Sequence, residues 1–598
     1  MRGPLLQSAA LAAAVLAGNL VVLTLFLNPE ATLRRDGLGL ALCLFLPYLL
    51  AGTGALTAAA LAGDWALDVR DGRRGRVLPA HPWFAALCCL ATTLAALVFW
   101  SNLWAYGHAL PLPVLRGLLA STFVLAGAAL VLLVLGLDAV LFPRHGRGVP
   151  TVLAILAAAA GVIVPLALRP DPVAEPRPVP LNITTRPPAR RVVLVGVDGL
   201  GPETLREVLA TGSPTALAAL LSRGASGPLS TLRPTEGPPL WATVFTGKLP
   251  RHHGVKGFVS YRLRLSRSNF DLLPKWAGIG ALEHARLVTR RAAMPSTARR
   301  GPALWSALNA FGISAGAVRF WGTHPAERVQ GFMLTPHFHT TSGAAQTAAL
   351  HPANLAWEVR ARRVTPADVD AALVGEFLDP EGAGDPWRQA LVTPALAPDL
   401  SYQRAAAMLR EAHDPAFFGF AFHGLDAVGH DFLRFDRPEM FGNVTAEEQR
   451  RYGRVRDRYL AFVARWLDEQ ADALREGDVL LVVSTYGMEP VPLWRRLLLP
   501  GARRSGTHEG APPGMLVAVG GGIRPGARIE DASLLDLCPT ILYLMGLPVA
   551  RDMEGRVLSG MIEESLLRSQ PVSFIPSYAS LAVTPPVAED LPPPPEEP

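Results

Sequence analysis

Hydrophobic residues are arranged along this chain in two regimes. As far as residue 168 they gather in five long apolar runs, at 4–27, 37–63, 83–106, 113–142 and 149–168. A helix of about 20 apolar residues is long enough to cross the hydrocarbon core of a bilayer, so five transmembrane helices are predicted. The first run has only Arg2 and Gly3 between it and the start and is followed by similar segments, which favours a retained helix over a cleaved signal peptide. Beyond residue 190 the apolar runs shorten to about five or six residues, at 192–197, 313–318, 417–422, 479–483 and 515–519. A strand buried on both faces reads as such a continuous run. Between these runs lie stretches of helical periodicity, for example 445–475, which opens on Thr445 and Glu448 as a capping box. Strands alternating with helices predict an α/β domain with a mostly parallel sheet between helices.

The breaks in the pattern divide the chain. Residues 1–168 form the membrane domain. Residues 169–189 (RPDPVAEPRPVPLNITTRPPA) are a proline-rich extended spacer. Residues 190–567 form the α/β domain, within which 335–398 loses the strand–helix rhythm and reads as an insertion or cap. Residues 568–598 close on LPPPPEEP, a composition expected to be disordered.

Charge adds an orientation. Arg2, Arg70, Arg73, Arg74, Arg76, Arg144 and Arg147 fall on one side of the five predicted spans, against Arg34 and Arg35 on the other. By the positive-inside rule the amino terminus is cytoplasmic, and after five crossings the α/β domain is extracytoplasmic. Arg116, near the start of the fourth run, is a functional candidate as an intramembrane charge, but it is also close enough to the end of the run to snorkel, the favoured reading. The net charge of +6 comes from dispersed arginines without a lysine-rich block, which argues against a nucleic-acid partner. Of four cysteines, three lie in the membrane runs and only Cys538 in the α/β domain, so that domain has neither an internal disulfide nor a cysteine zinc site. Asn182 and Asn443 head N-x-T triplets.

The candidate chemistry collects at the ends of the short runs. RVVLVGVDGLG (191–201) places Asp198 between glycines at the end of a predicted strand, where open α/β sheets position ligands. HGLDAVGH (423–430) spaces Asp426 and His430 four apart, one face if helical. VVSTYGM (482–488) and GTHE (506–509), which carries His508, read as returns to the same point. TLRPTEGPPLWATVFTGKLPRHHGV (231–255) puts Pro238 and Pro239 in the first turn of a predicted helix, whose amino terminus suits a phosphate. Taken singly, Asp198 reads as a helix cap and the histidines as ordinary polar residues.

Taken in order, these stretches resemble the type I phosphodiesterase and nucleotide pyrophosphatase branch of the alkaline phosphatase superfamily. The resemblance rests on VGVDGLG, TGKLPRHHGV, DAVGH, GTHEGAPPGMLVAVGGGI and LLDLCPTILYLMGLPVARDMEGRVL, and spans residues 191–558. It implies a central sheet between helices with two divalent metals, usually zinc, at the strand ends. Two such ions about 4 Å apart hold the attacking and leaving oxygens of an in-line displacement. The resemblance implies Asp426, His430 and His508 as ligands of one metal and Asp198 as a ligand of the second, with His253 fixing the turn after the helix; His252 and His423 acquire no role. Two positions depart from the family pattern. Gly237 stands where the family carries its nucleophilic Thr or Ser, leaving Thr235 as the nearest hydroxyl. Where the family reads SDHGM, this chain has Thr485 and Tyr486 in place of the Asp and His that would bind the second metal.

The expected function is therefore a membrane-anchored extracytoplasmic protein that acts on or binds a phosphate ester, a phospholipid headgroup or glycan phosphate among the candidates, with one retained divalent metal, expected to be zinc, and altered or weak catalysis. The alternative is a catalytically inactive member serving as a binding or scaffold module. A transporter built from the five helices is disfavoured by their low polar content.

Overall fold

The computed structural model describes residues 3–71, 80–141, 148–170, 181, 183–210, 215–342, 346–378, 386–498 and 503–581. The expectations for most of the 169–189 spacer and for the end of the 568–598 tail lie outside the described residues. The chain forms two compact units: residues 1–176 with 259–293, and residues 177–258 with 294–598.

Among the described residues, the first unit holds five helices long and apolar enough to cross a membrane, Leu5–Leu27, Leu33–Gly63, Phe84–Ala105, Leu112–Asp138 and Val149–Ala167, close to the boundaries expected from the sequence. The second of them is interrupted by one π-helical stretch at Ala41–Phe45. Residues 259–293 join this unit as a two-stranded antiparallel hairpin, Val259–Leu263 with Val288–Ala293, and a short helix, Ile279–His284. Asn28, just past the first helix, accepts from the backbone N–H groups of Asp271 and Leu272 and donates to the Leu272 carbonyl at 2.7 Å. Asn102 clamps the backbone of Lys275 in the same way, and the Tyr106 hydroxyl donates to the Leu273 carbonyl. Asp36 accepts from the backbone N–H of Arg267 and of Ser268 and from the Ser268 hydroxyl. Polar side chains at apolar helix ends thereby satisfy backbone groups that would otherwise be buried unpaired.

The second unit is built on a nine-stranded sheet. In spatial order its strands are Ala532–Ser533, Ala225–Ser230, Gly514–Gly520, Val479–Ser484, Val192–Val197, Phe417–Phe422, Ala315–Val318, Gly331–Leu334 and Leu350–His351. Val192–Val197 runs parallel to both neighbours, with Val192 opposite Phe417 on one side and Val479 on the other. Gly514–Gly520 and Leu350–His351 are antiparallel to their neighbours. All six residues of Val192–Val197, of Phe417–Phe422 and of Val479–Ser484 are buried. Alternate residues feed two cores, as the twofold pleat requires. Val193, Val195 and Val197 join Phe418, Phe420 and Phe422 on one face, while Val192 and Leu194 join Phe417, Leu481 and Trp241 on the other. Residues 335–398 add Phe338, Val359, Val364 and Phe377 to the first of these cores. That core also encloses a charged network in which Arg319 pairs with the fully buried Asp399, and the Tyr459 hydroxyl donates to Asp399 at 2.7 Å. The 445–475 stretch forms two helices, Ala446–Tyr452 and Val455–Asp472, and the capping box at Thr445 and Glu448 is present.

Because three adjacent parallel strands end at Val197, Phe422 and Ser484, the residues that follow them emerge at one edge of the sheet. Asp198, His423 and Thr485 are thereby brought together, with the helices that begin at Gly237 and Gly424 starting nearby.

Candidate metal centre

Asp426 and His430 lie on the helix Gly424–Asp436, whose first turn begins two residues after the strand Phe417–Phe422 ends. The four-residue spacing sets them on one face, with His430 Nε2 3.6 Å from Asp426 Oδ2. His430 Nδ1 lies 2.8 Å from the Gly506 carbonyl. A carbonyl can only accept, so Nδ1 carries a proton; in the neutral ring that leaves the lone pair on Nε2, the arrangement that prepares an imidazole as a ligand. His508 follows the two-residue strand Gly506–Thr507 and crosses the His430 ring at 5.2 Å between centroids. One potential ligand atom from each of Asp426, His430 and His508 lies within 4.8 Å of the others, the only such group of three or more among the described residues. Asp426 Oδ1 and His508 Nδ1 are buried and have no hydrogen-bond partner. Burial pushes the His508 imidazole below its ordinary value, opposed chiefly by the neighbouring Asp426 carboxylate.

Asp198 is placed differently. It is buried at 1% exposure, and both of its oxygens are engaged by protein donors. The indole N–H of Trp241 donates to Oδ2 at 3.0 Å, and the Thr485 hydroxyl donates to Oδ1 at 2.7 Å. Burial raises its carboxyl to about 7 against the opposing effect of the Trp241 and Thr485 hydrogen bonds. Thr485 thus meets Asp198 directly, and Tyr486 stacks on His508 with centroids 4.2 Å apart. The two strand-end loops are tied together, since Leu200 N–H donates to the Ser484 hydroxyl and Gly199 N–H to the Tyr486 carbonyl.

The helix Gly237–Thr246 begins with its prolines in the first turn, as expected, and is buried throughout. Gly237 faces Trp321. A Cβ added at position 237 would overlap the indole Cδ1 and come within 2.7 Å of Cγ. Trp321 in turn stacks on His423, rings 8° from parallel and 4.5 Å apart. His423 Nε2 is buried without a hydrogen-bond partner, and burial holds its imidazole neutral. Thr235, the nearest hydroxyl, is buried and donates to the Leu232 carbonyl at 3.1 Å. His253 is fully buried in the turn after the helix. It accepts from Val255 N–H at Nδ1, and its Nε2 lies 3.0 Å from the Thr243 hydroxyl. His252 lies outside the cluster, paired with Glu554.

Trp241, Trp321 and the stacking of Tyr486 on His508 are the parts of this site that the sequence did not disclose. Gly237 was itself a signal, because a glycine at a crowded helix start leaves volume for another side chain. Nothing in the local sequence points to Trp321, 84 positions away, as its occupant.

Residues 192–499, just over half of the chain, match the family model described as type I phosphodiesterase / nucleotide pyrophosphatase. Among solved structures, phosphonoacetate hydrolase from Sinorhizobium meliloti 1021 in complex with phosphonoformate is 16% identical over 51% of this chain and 57% of that one, at a TM-score of 0.30. Murine ectonucleotide pyrophosphatase / phosphodiesterase 5 is 13% identical over 60% of this chain and 95% of that one, at 0.33. A mutant of the alkaline phosphatase PafA is 11% identical over 62% of this chain and 99% of that one, at 0.38. This chain thus spans little more than half the length of the phosphonoacetate hydrolase. No curated protein sequence matches it.

Proposed function

Because the chain belongs to the type I phosphodiesterase / nucleotide pyrophosphatase family, we propose that it acts on phosphate esters at a single divalent metal held by Asp426, His430 and His508, with altered or weak catalysis. The observation that carries this reading is the convergence of those three side chains to within 4.8 Å of one another in their potential ligand atoms, with two buried atoms among them, Asp426 Oδ1 and His508 Nδ1, lacking hydrogen-bond partners. A buried polar atom without a partner is costly, and a cation satisfies both at once. One carboxylate and two imidazoles form a donor set that suits zinc. When bound, such an ion supplies Lewis-acid stabilisation of charge on a phosphoryl oxygen.

The chain's own residues define the remainder. The His430 Nδ1–H held by the Gly506 carbonyl orients the ring. Asp198, enclosed by Trp241 and Thr485, belongs on this reading to the architecture of the strand end and ligates no second ion. Position 237 offers no nucleophile, and Trp321 occupies the adjoining space. Thr235 is the candidate for a covalent step, but its proton is committed to the Leu232 carbonyl. An inactive binding or scaffold module is the second reading, favoured specifically by the packing of Trp321 against Gly237. The distribution of basic residues over the short loops supports an amino terminus in the cytoplasm and a family domain outside it. The substrate classes in view there are phosphodiesters, phospholipid headgroups and glycan phosphates.

Hydrolysis of a generic bis-aryl phosphodiester by the full chain tests the proposal. Slow turnover that depends on divalent metal, abolished by His430→Ala and reduced less than about threefold by Thr235→Ala, is expected. Metal binding without any turnover would establish the scaffold reading. Equal loss in both variants would assign a covalent role to Thr235.

A further inference from the structure

Residues 259–293 leave the family domain in sequence and fold into the helical unit. The chain orders this excursion at the ends of the apolar helices. Asn28 follows the first helix, Asp36 lies in the first turn and a half of the second, and Asn102 and Tyr106 close the third. Each binds the backbone of a residue between 267 and 275. The excursion is therefore fixed at the level where the apolar helices stop, which for a spanning helix is the boundary between hydrocarbon and headgroups.

Two large apolar side chains stand exposed in the excursion, Leu265 at 57% and Trp276 at 60%. Both have left-handed backbone, with φ of 66° and 67°. Leu and Trp are disfavoured there, and glycine would hold the same turns without strain. Leu265 lies two residues before Arg267, bound by Asp36, and Trp276 directly follows Lys275, bound by Asn102. The excursion also carries seven basic residues against two acidic ones, and Arg262, Arg264, Arg267 and Arg286 are exposed. An exposed Trp beside Lys275 and an exposed Leu between Arg264 and Arg267, at a hydrocarbon boundary, suit a surface of anionic headgroups.

We propose that residues 259–293 form an interfacial collar that recruits anionic phospholipid around the helical unit, with Leu265 and Trp276 inserted at headgroup depth and Arg262, Arg264 and Arg267 pairing with lipid phosphates. The collar is independent of the metal centre and of the reading given to it.

The full chain, reconstituted in phosphatidylcholine bilayers with spin-labelled phosphatidylglycerol or spin-labelled phosphatidylcholine, provides the test through the fraction of motionally restricted label. Phosphatidylglycerol is expected to associate about threefold or more in preference to phosphatidylcholine at low salt, falling toward parity at high salt as screening requires. The Arg262→Gln/Arg264→Gln/Arg267→Gln variant should lose most of that preference. Arg73→Gln/Arg74→Gln, in the loop predicted on the other side of the membrane, should retain it. A wild-type ratio near one, a preference insensitive to salt, or loss confined to the Arg73/Arg74 variant would overturn the proposal. A ratio near one would leave the collar to a protein partner.

Discussion

A side chain at position 237 has no room in this fold. The Trp321 indole occupies the volume in which a Thr or Ser Cβ would lie, and Trp321 is held in turn by stacking on His423. Restoring even a methyl group forces that stack to move, and overpacking of this kind costs about 1–3 kcal/mol. Gly237→Ala should lower stability by that amount in a denaturant titration, and most of the loss should vanish in a Trp321→Ala background, because the two positions share one space. A second residue-level expectation concerns His253. Nδ1 accepts from Val255 N–H, so the ring is neutral, and burial holds its pKa down to about 3. In the unfolded chain the same ring titrates near 6.5. A base depressed on folding contributes stability that is present above its unfolded value and lost as pH falls toward its folded value. Between about pH 6.5 and pH 4 this group alone should therefore lower stability by about 1.4 kcal/mol per pH unit. His253→Asn should melt at a temperature less sensitive to acid across that window, and an unchanged acid slope would remove His253 as its source.

Among the elements, those recovered best from the sequence are the central strands. Val192–Val197, Phe417–Phe422 and all of Val479–Ser484 but its last residue read as continuous apolar runs because both faces are covered, and each strand ends one residue before the one that enters the site. The pair Asp426 and His430 was legible for a related reason: a four-residue spacing becomes shared geometry once the segment is a helix. Less legible was anything decided by volume or by backbone partners far along the chain. Asp198 stands at its predicted strand end, yet its engagement by Trp241 and Thr485 depends on two elements that only the fold brings together. The attachment of 259–293 to the helical unit is of the same kind. Its signal is confined to Asn28, Asp36 and Asn102 in or beside the apolar runs, and nearly all of their partners are backbone groups that any sequence carries. Removing those partners should release the element. Asn28→Ala leaves the N–H groups of Asp271 and Leu272 unpaired, at about 1–3 kcal/mol for an unsatisfied buried group. Trypsin should then cut at Arg267 and Lys275 markedly faster than in the unaltered chain, while cleavage rates within the second unit stay unchanged.

At the scale of the whole molecule, the chain combines apolar helices of membrane-spanning length with a domain of the phosphodiesterase family, and the two regimes of its hydrophobic pattern announce that division. What the pattern could not announce is how much of the family's metal chemistry the domain retains. The account rests on one ion at Asp426, His430 and His508, with Asp198 serving the fold. Direct metal analysis of the purified full chain, after equilibration with zinc and removal of excess, tests this most directly. About one equivalent is predicted for the wild type and for Asp198→Asn, and none for His430→Ala or His508→Ala. Two equivalents, with the second lost in Asp198→Asn, would contradict the single-metal account, and no bound metal in the wild type would contradict the centre itself.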